Sequence, residues 1–190
     1  MSVQPTRVQR INLFQDLNLE QCKLISSKVE MTTSKPHTDL LVEGEVGNTL
    51  LLIFQGEVEV SNQIMIKTKS ESGFSQSRKA IVRLKTTDPA PAEDPVSEPT
   101  TFVVEEPAFA TGEYALVSDE AIRTANVTTM TPTEYGVLTF QDFSQIVEDD
   151  PAIAGPVFRR VARNAVEKVK TGNADIANLT QAFFYALSRG

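Results

Sequence analysis

The chain of 190 residues is poor in the residues that most simple chemistries need. It has one cysteine (Cys22), one histidine (His37) and no tryptophan. A lone cysteine excludes an internal disulfide, which fits a reducing cytoplasm. A Cys/His zinc site takes three or four ligands, more than this pool holds, so no metal and no bound cofactor is expected. Long apolar runs are also lacking. Nothing approaches the 18 or so residues that cross a bilayer, and no membrane association is expected. Met1–Arg10 has no apolar core of the secretory kind, so the two glycosylation sequons, at Asn126 and Asn178, are read as chance matches. Positive charge is the minority sign: 18 Lys and Arg stand against 25 Asp and Glu, for a formal charge of -7. A nucleic-acid partner is not expected, because phosphate contacts need clustered cations. There is no Gly-x-Ser-x-Gly elbow, P-loop or Gly-x-Gly-x-x-Gly run, and the expectation is a protein that is not an enzyme.

What is present is an ordinary globular balance, 41% apolar and 23% charged. Residues 11–31 carry a helical pattern, with Asn18 as N-cap and Gln21 completing a capping box. Short strands are expected at Leu40–Val42, at the apolar run Thr49–Phe54, and at Val58 and Val60, which alternate with Glu57 and Glu59 on a half-exposed strand. Glu43–Asn48 and Gln55-Gly56 are turn-rich corners. Ser70–Ser77 reads as polar and flexible, Lys79–Lys85 as a strand, and the proline- and acid-rich residues 88–99 as an exposed insertion. Strands return at Thr101–Val104, Ala125–Thr129 and Glu134–Thr139, with a short helix over Ala115–Ala121.

The remainder is helical: Gln141–Val147, then a helix from Pro151 to about Lys170 that Gly172 stops, then a segment over 174–188. Ala154, Phe158, Val161, Ala165 and Val169 form its apolar face, with Arg159, Arg160, Arg163 and Lys168 on a solvated one. Phe183, Phe184 and Tyr185 either pack on the body of the protein, the reading favoured here, or form a docking patch. The order is helix, many strands, helices: a mainly β fold, barrel or sandwich, with terminal helices.

Two motifs converge. Glu43–Val60 (EGEVGNTLLLIFQGEVEV) resembles the signature of the cyclic nucleotide-binding domain family, with Gly44, Gly47 and Gly56 at that family's glycine positions. Gly112–Val127 (GEYALVSDEAIRTANV) is similar to its phosphate-binding cassette: Gly112-Glu113, then Ala115-Leu116, then Arg123-Thr124-Ala125. The Gly112-to-Arg123 spacing is that of the family's bacterial transcription activators. Thr139–Pro151 resembles the segment after the family's last barrel strand. The resemblance implies a β-roll or jelly-roll barrel with an N-terminal helix and C-terminal helices. It implies one domain over 1–190: barrel about 32–140, inserted loop about 68–100, helices about 141–188. The residues beyond Lys170 are too few for the helix-turn-helix domain that comes after the long helix in the activators.

The ligand it implies is cAMP or cGMP. A cyclic phosphodiester is a single anion that one buried arginine meets with paired, charge-assisted hydrogen bonds. Arg123 is the residue for this, in an otherwise small and apolar stretch, since an unpaired buried charge is costly. Glu113 is placed to accept a hydrogen bond from a ribose 2′-hydroxyl. Gly112 allows close backbone approach. The ligand-binding set is Gly112, Glu113, Tyr114, Ala115, Leu116, Arg123, Thr124 and Ala125, with base contacts from the 151–170 helix. Thr124 leans toward cGMP within the family, and is equally a β-branched strand residue. Three features depart from the family: Thr111 where Phe is common, Tyr114 where Leu or Ile is usual, and a long 61–106 stretch.

The function expected is a cyclic-nucleotide sensor in signal transduction, signalling through a protein partner or a homodimer formed by the C-terminal helices. The alternative is a degenerate, non-binding scaffold of the same fold, with the apolar helices 151–188 docking on a partner; the bland reading of Arg123 in such a ligand-free barrel is a pair with Glu113. A cupin-like metalloenzyme, the third class, lacks the histidines.

Overall fold

A computed structural model describes residues 3–67, 74–86, 102–117 and 121–188. The insertion expected over 88–99 lies outside them.

Two short helices come first, α1 (Pro5–Gln9) and α2 (Leu19–Lys28). The box at the start of α2 is in place. The Asn18 side chain accepts from the Gln21 N–H at 2.9 Å, and the Gln21 side chain accepts from the Asn18 N–H at 3.1 Å. The helical pattern expected over 11–31 is thus narrower, and a strand, β1 (Glu30–Ser34), comes directly after it.

Eight more strands complete two sheets: β2 (Asp39–Leu41), β3 (Thr49–Gln55), β4 (Glu57–Lys67), β5 (Phe74–Thr86), β6 (Phe102–Glu106), β7 (Phe109–Thr111), β8 (Asn126–Thr129) and β9 (Thr133–Thr139). One sheet runs β1-β9-β3-β7, the other β2-β8-β4-β5-β6. All pairs are antiparallel except β5 with β6. Residues 74–77, read as part of a flexible stretch, belong to β5 and pair with β4.

The run from Leu50 to Phe54 is apolar throughout because β3 is covered on both faces. Leu50, Leu52 and Phe54 meet a core built with the helices, including Phe14, Phe143 and Val157. Leu51 and Ile53 meet the core between the sheets, with Leu41, Val58 and Phe109. Each such side chain contributes roughly 1.5–3 kcal/mol by leaving water. On β4 the alternation does not leave glutamates in solvent: Glu57 is buried, and Arg83 on β5 lies 4.0 Å from Glu57 and 3.0 Å from Glu59.

The chain then leaves the sheets as α3 (Phe140–Asp149), a 3-10 turn (Pro151–Ile153) and α4 (Ala154–Leu187). Here the structure corrects three expectations. Gly172 does not stop a helix: α4 is continuous across it for 34 residues. A glycine costs a helix about 1 kcal/mol relative to alanine, too little by itself to end one. The buried positions are Val157 and Val161, continuing Ile153, whereas Phe158 is exposed, its ring set edge-on to that of Phe143 with centroids 6.0 Å apart. Burial of Phe183, Phe184 and Tyr185 on the body is not found either: they stand 62%, 63% and 57% exposed. No helix among the described residues is long and apolar enough to cross a membrane.

Candidate functional site

The two motifs meet at one end of the sandwich. The corner between β2 and β3 turns through Gly44, whose φ is 86°. It is stitched to the stretch before β8 by main-chain bonds: Gly44 N–H to Arg123 C=O (2.9 Å), Arg123 N–H to Glu45 C=O (2.8 Å), and Gly47 N–H to Ala121 C=O (2.9 Å). This clamp seats the Arg123 side chain. Its Nη2 donates to Thr49 O at 2.8 Å and to Thr49 Oγ1 at 2.9 Å, and Nη1 points to Gly112 O at 3.5 Å.

Two glycines are required by that seat. At Gly47 a Cβ would overlap the guanidinium itself. At Gly112 the φ is 80°, and a Cβ would lie 2.7 Å from Arg123 Nη1 and 3.0 Å from Thr49 O. So Gly44 and Gly47 form one constellation with Gly112 and Arg123, which lie more than 60 residues further along the chain.

Arg123 is 8% exposed, and its hydrogen-bond partners are all uncharged. Among the described residues no carboxylate lies within ion-pair distance of it. Burial pulls its pKa below the ordinary arginine value. The pairing with Glu113 that is the bland reading of Arg123 is absent. Glu113, 6% exposed, is instead held by Lys168 of α4, Nζ to Oε1 at 2.8 Å. The ammonium also stands 4.9 Å from the centre of the Tyr114 ring. Burial works against the charge of Lys168, but Glu113, with a smaller effect of Tyr114, outweighs it and holds the pKa above the ordinary lysine value.

Glu113, Tyr114, Arg123, Thr124 and Ala125 face a cleft of about 700 Å³, floored by Gly112. That volume lies within the roughly 300–1,000 Å³ of small-molecule sites. The inner wall is apolar, with Leu41, Val60, Leu84 and Phe109 from the sandwich, and α4 crosses the mouth with Asn164, Lys168, Thr171 and Asp175. Thr124 is exposed to the cleft while its carbonyl accepts from the Asn62 side chain at 2.8 Å. Ala115 and Leu116 do not line the cleft. Both are buried, and Leu116 packs in the core beside the helices. The helix expected over Ala115–Ala121 is a 3-10 turn over Glu113–Leu116, and residues 118–120 lie outside the described set.

Sequence reasoning missed Lys168 and Arg160, assigning both to a solvated face. Arg160 makes a two-pronged ion pair with Asp16, at 2.9 and 3.0 Å. Neither pairing leaves a local signal, because the partners are 55 and 144 residues away. His37 is exposed, at a turn with φ 59°. Asn126 of one sequon is wholly buried, its side chain bonded to the Glu43 N–H and the Ser61 carbonyl. Among the described residues no group of three or more His, Cys, Asp or Glu is placed to hold a metal.

By sequence, no family model and no characterised protein matches this chain. By structure, it is similar to the N-terminal domain of a transcriptional regulator from Streptomyces coelicolor (21% identity, TM-score 0.60, covering 87% of this chain and 94% of that one). It is similar also to a cyclic nucleotide-binding domain from Methylobacillus flagellatus (21%, 0.61, 91% and 80%). A third likeness is to the regulatory domain of Toxoplasma gondii PKA, determined with cAMP (15%, 0.58, 86% and 49%). The fold is therefore the one seen in cyclic nucleotide-binding domains: antiparallel strands in two sheets flanked by N-terminal and C-terminal helices.

Proposed function

We propose that this chain is a cyclic-nucleotide sensor of the cytoplasm, regulatory and not catalytic. The cyclic phosphate sits at Arg123, the ribose 2′-hydroxyl donates to Glu113, and the base lies between the apolar wall and α4. The observation that carries this reading is the state of Arg123. A cation 8% exposed, bonded only to neutral oxygens and facing an open cleft, has a place for an anion. A singly charged phosphodiester on an apolar body suits that place better than an inorganic anion does, because the wall opposite Arg123 buries nothing of the latter.

The output runs through α4. Val169, Gly172, Ile176, Leu179, Phe183 and Ala186 alternate at spacings of three and four. This is the period of a coiled-coil seam, and Val169, Ile176, Leu179 and Phe183 are all more than 60% exposed. A second copy of the chain is the partner this pattern fits. The residues over the cleft, Asn164, Lys168, Thr171 and Asp175, form the neighbouring row of the same helix. Ligand and partner thus act on one rigid element, and the ligand's differential affinity for two placements of α4 sets the size of the response.

The test is isothermal titration with cAMP and cGMP separately, on the wild type and on Arg123→Ala. Saturable binding lost in the variant is expected, and the tighter ligand decides what Thr124 prefers. No heat with either ligand at high micromolar concentration overturns the reading in favour of a scaffold.

A further inference from the structure

Among the described residues, the hydrogen bonds and ion pairs that join residues 162–172 of α4 to the sandwich are those of Lys168. Beyond Val161 the side chains of α4 are exposed or half-exposed. No continuous apolar contact therefore holds this part of the helix down over the cleft. Lys168 reaches past the Tyr114 ring to a carboxylate that is itself buried. Glu113 needs that cation, since a buried carboxylate without a counter-ion is strongly disfavoured. An ionised carboxylate accepts at two oxygens, and Lys168 occupies Oε1. Among the described residues no donor is bonded to the other oxygen, which leaves it for a neutral donor from the cleft.

We propose that Lys168 is a positioning residue: it ties α4 across the mouth of the cleft and, through the same bond, aims the Glu113 carboxylate at a hydroxyl group of the ligand. The second half of this statement rests on the function proposed above; the first half does not. The two are coupled in both directions. Whatever orders Glu113 tightens α4, and whatever pulls α4 away frees Glu113. Tyr114 belongs to the device. Its ring gives the ammonium a face to lie on.

The experiment uses the full chain as wild type, Lys168→Met and Lys168→Arg, with two readouts. Lys168 is mostly exposed, so neither change disturbs the core. The first readout, without ligand, is amide hydrogen exchange over residues 164–175. Exchange there is expected to accelerate about tenfold in Lys168→Met, the factor for losing one charge-assisted bond of modest net worth, and to stay near wild type in Lys168→Arg. Equal exchange in wild type and Lys168→Met overturns the tie, whether or not any nucleotide binds. The second readout is the affinity ratio between a 3′,5′-cyclic ribonucleotide and its 2′-deoxy analogue. The wild type is expected to favour the ribonucleotide by about tenfold or more, as suits a hydrogen bond to a charged acceptor. Lys168→Met is expected to lose most of that preference and Lys168→Arg to restore it. A ratio unchanged in Lys168→Met overturns the aiming of Glu113. If neither nucleotide binds the wild type, the ligand reading and the aiming fall together, and the exchange data alone decide the tie.

Discussion

The seat of Arg123 is open to a one-methyl perturbation. In Gly47→Ala the added carbon claims the space of Nε, Cζ and Nη2, so the guanidinium must leave. The clash is with the far end of a flexible side chain, and the main chain can stay where it is. What is lost is the pair of bonds from Nη2 to Thr49 O and Oγ1, at 2.8 and 2.9 Å. Hydrogen bonds to a charged group are worth about 1.5–3 kcal/mol each, and water in the open cleft returns part of this, leaving a net loss of about 2–3 kcal/mol. For a domain of this size that lowers Tm by about 4–12 °C. The decisive measurement is a double-mutant cycle by thermal unfolding. In an Arg123→Ala background the overlap no longer exists, so Gly47→Ala is expected to cost almost nothing. Under the proposed function, Gly47→Ala also loses ligand affinity by a factor close to that of Arg123→Ala, although residue 47 touches no ligand. A cost of Gly47→Ala that is the same in both backgrounds refutes the reasoning, because the glycine would then serve the turn and not the arginine.

Two other predictions concern the rest of the molecule. Asp39 is gripped by Arg78 at 2.7 and 2.8 Å, and this bond, helped by Thr128 and only partly offset by burial, holds its pKa below the ordinary aspartate value of 3.8. A depressed folded-state pKa contributes stability above pH 3.8 that is lost as pH falls through the lower folded value. The Tm difference between wild type and Arg78→Met is therefore expected to be steady near neutrality and to shrink below pH 3.8; a gap that stays constant into acid contradicts the assignment. On α4, the paired change Ile176→Glu and Phe183→Glu places charges on the proposed seam while touching nothing in the sandwich. Sedimentation velocity is expected to show a dimer for the wild type and a monomer of unchanged Tm for the variant, and a wild type that is monomeric at high micromolar concentration removes the seam as a self-association surface.

Much of the architecture was legible because its causes are local. The Asn18–Gln21 box, the doubly buried run of β3, the Gly56 turn and the entry to α4 at Pro151 each depend on a few adjacent residues, and each stands where composition and period place it. Gly112, Glu113 and Arg123 were singled out by a resemblance to a known motif, and the fold brings them to one cleft. Other features had no local cause. Whether α4 breaks at Gly172 or runs through it depends on a balance of about 1 kcal/mol that neighbouring residues tip. Which face of α4 is buried depends on where α3 and the sandwich lie, and that decides for Val157 and against Phe158. The partners of the charged groups are the clearest case. By sequence Arg123 and Glu113, ten residues apart, were natural candidates for each other. The fold turns Arg123 into the glycine corner, gives it neutral oxygens, and hands Glu113 to a lysine 55 residues further on. Periodicity and capping act within one turn or one strand, so the chain alone settles them. Counter-ions are chosen by proximity in space, and only the packed structure sets that.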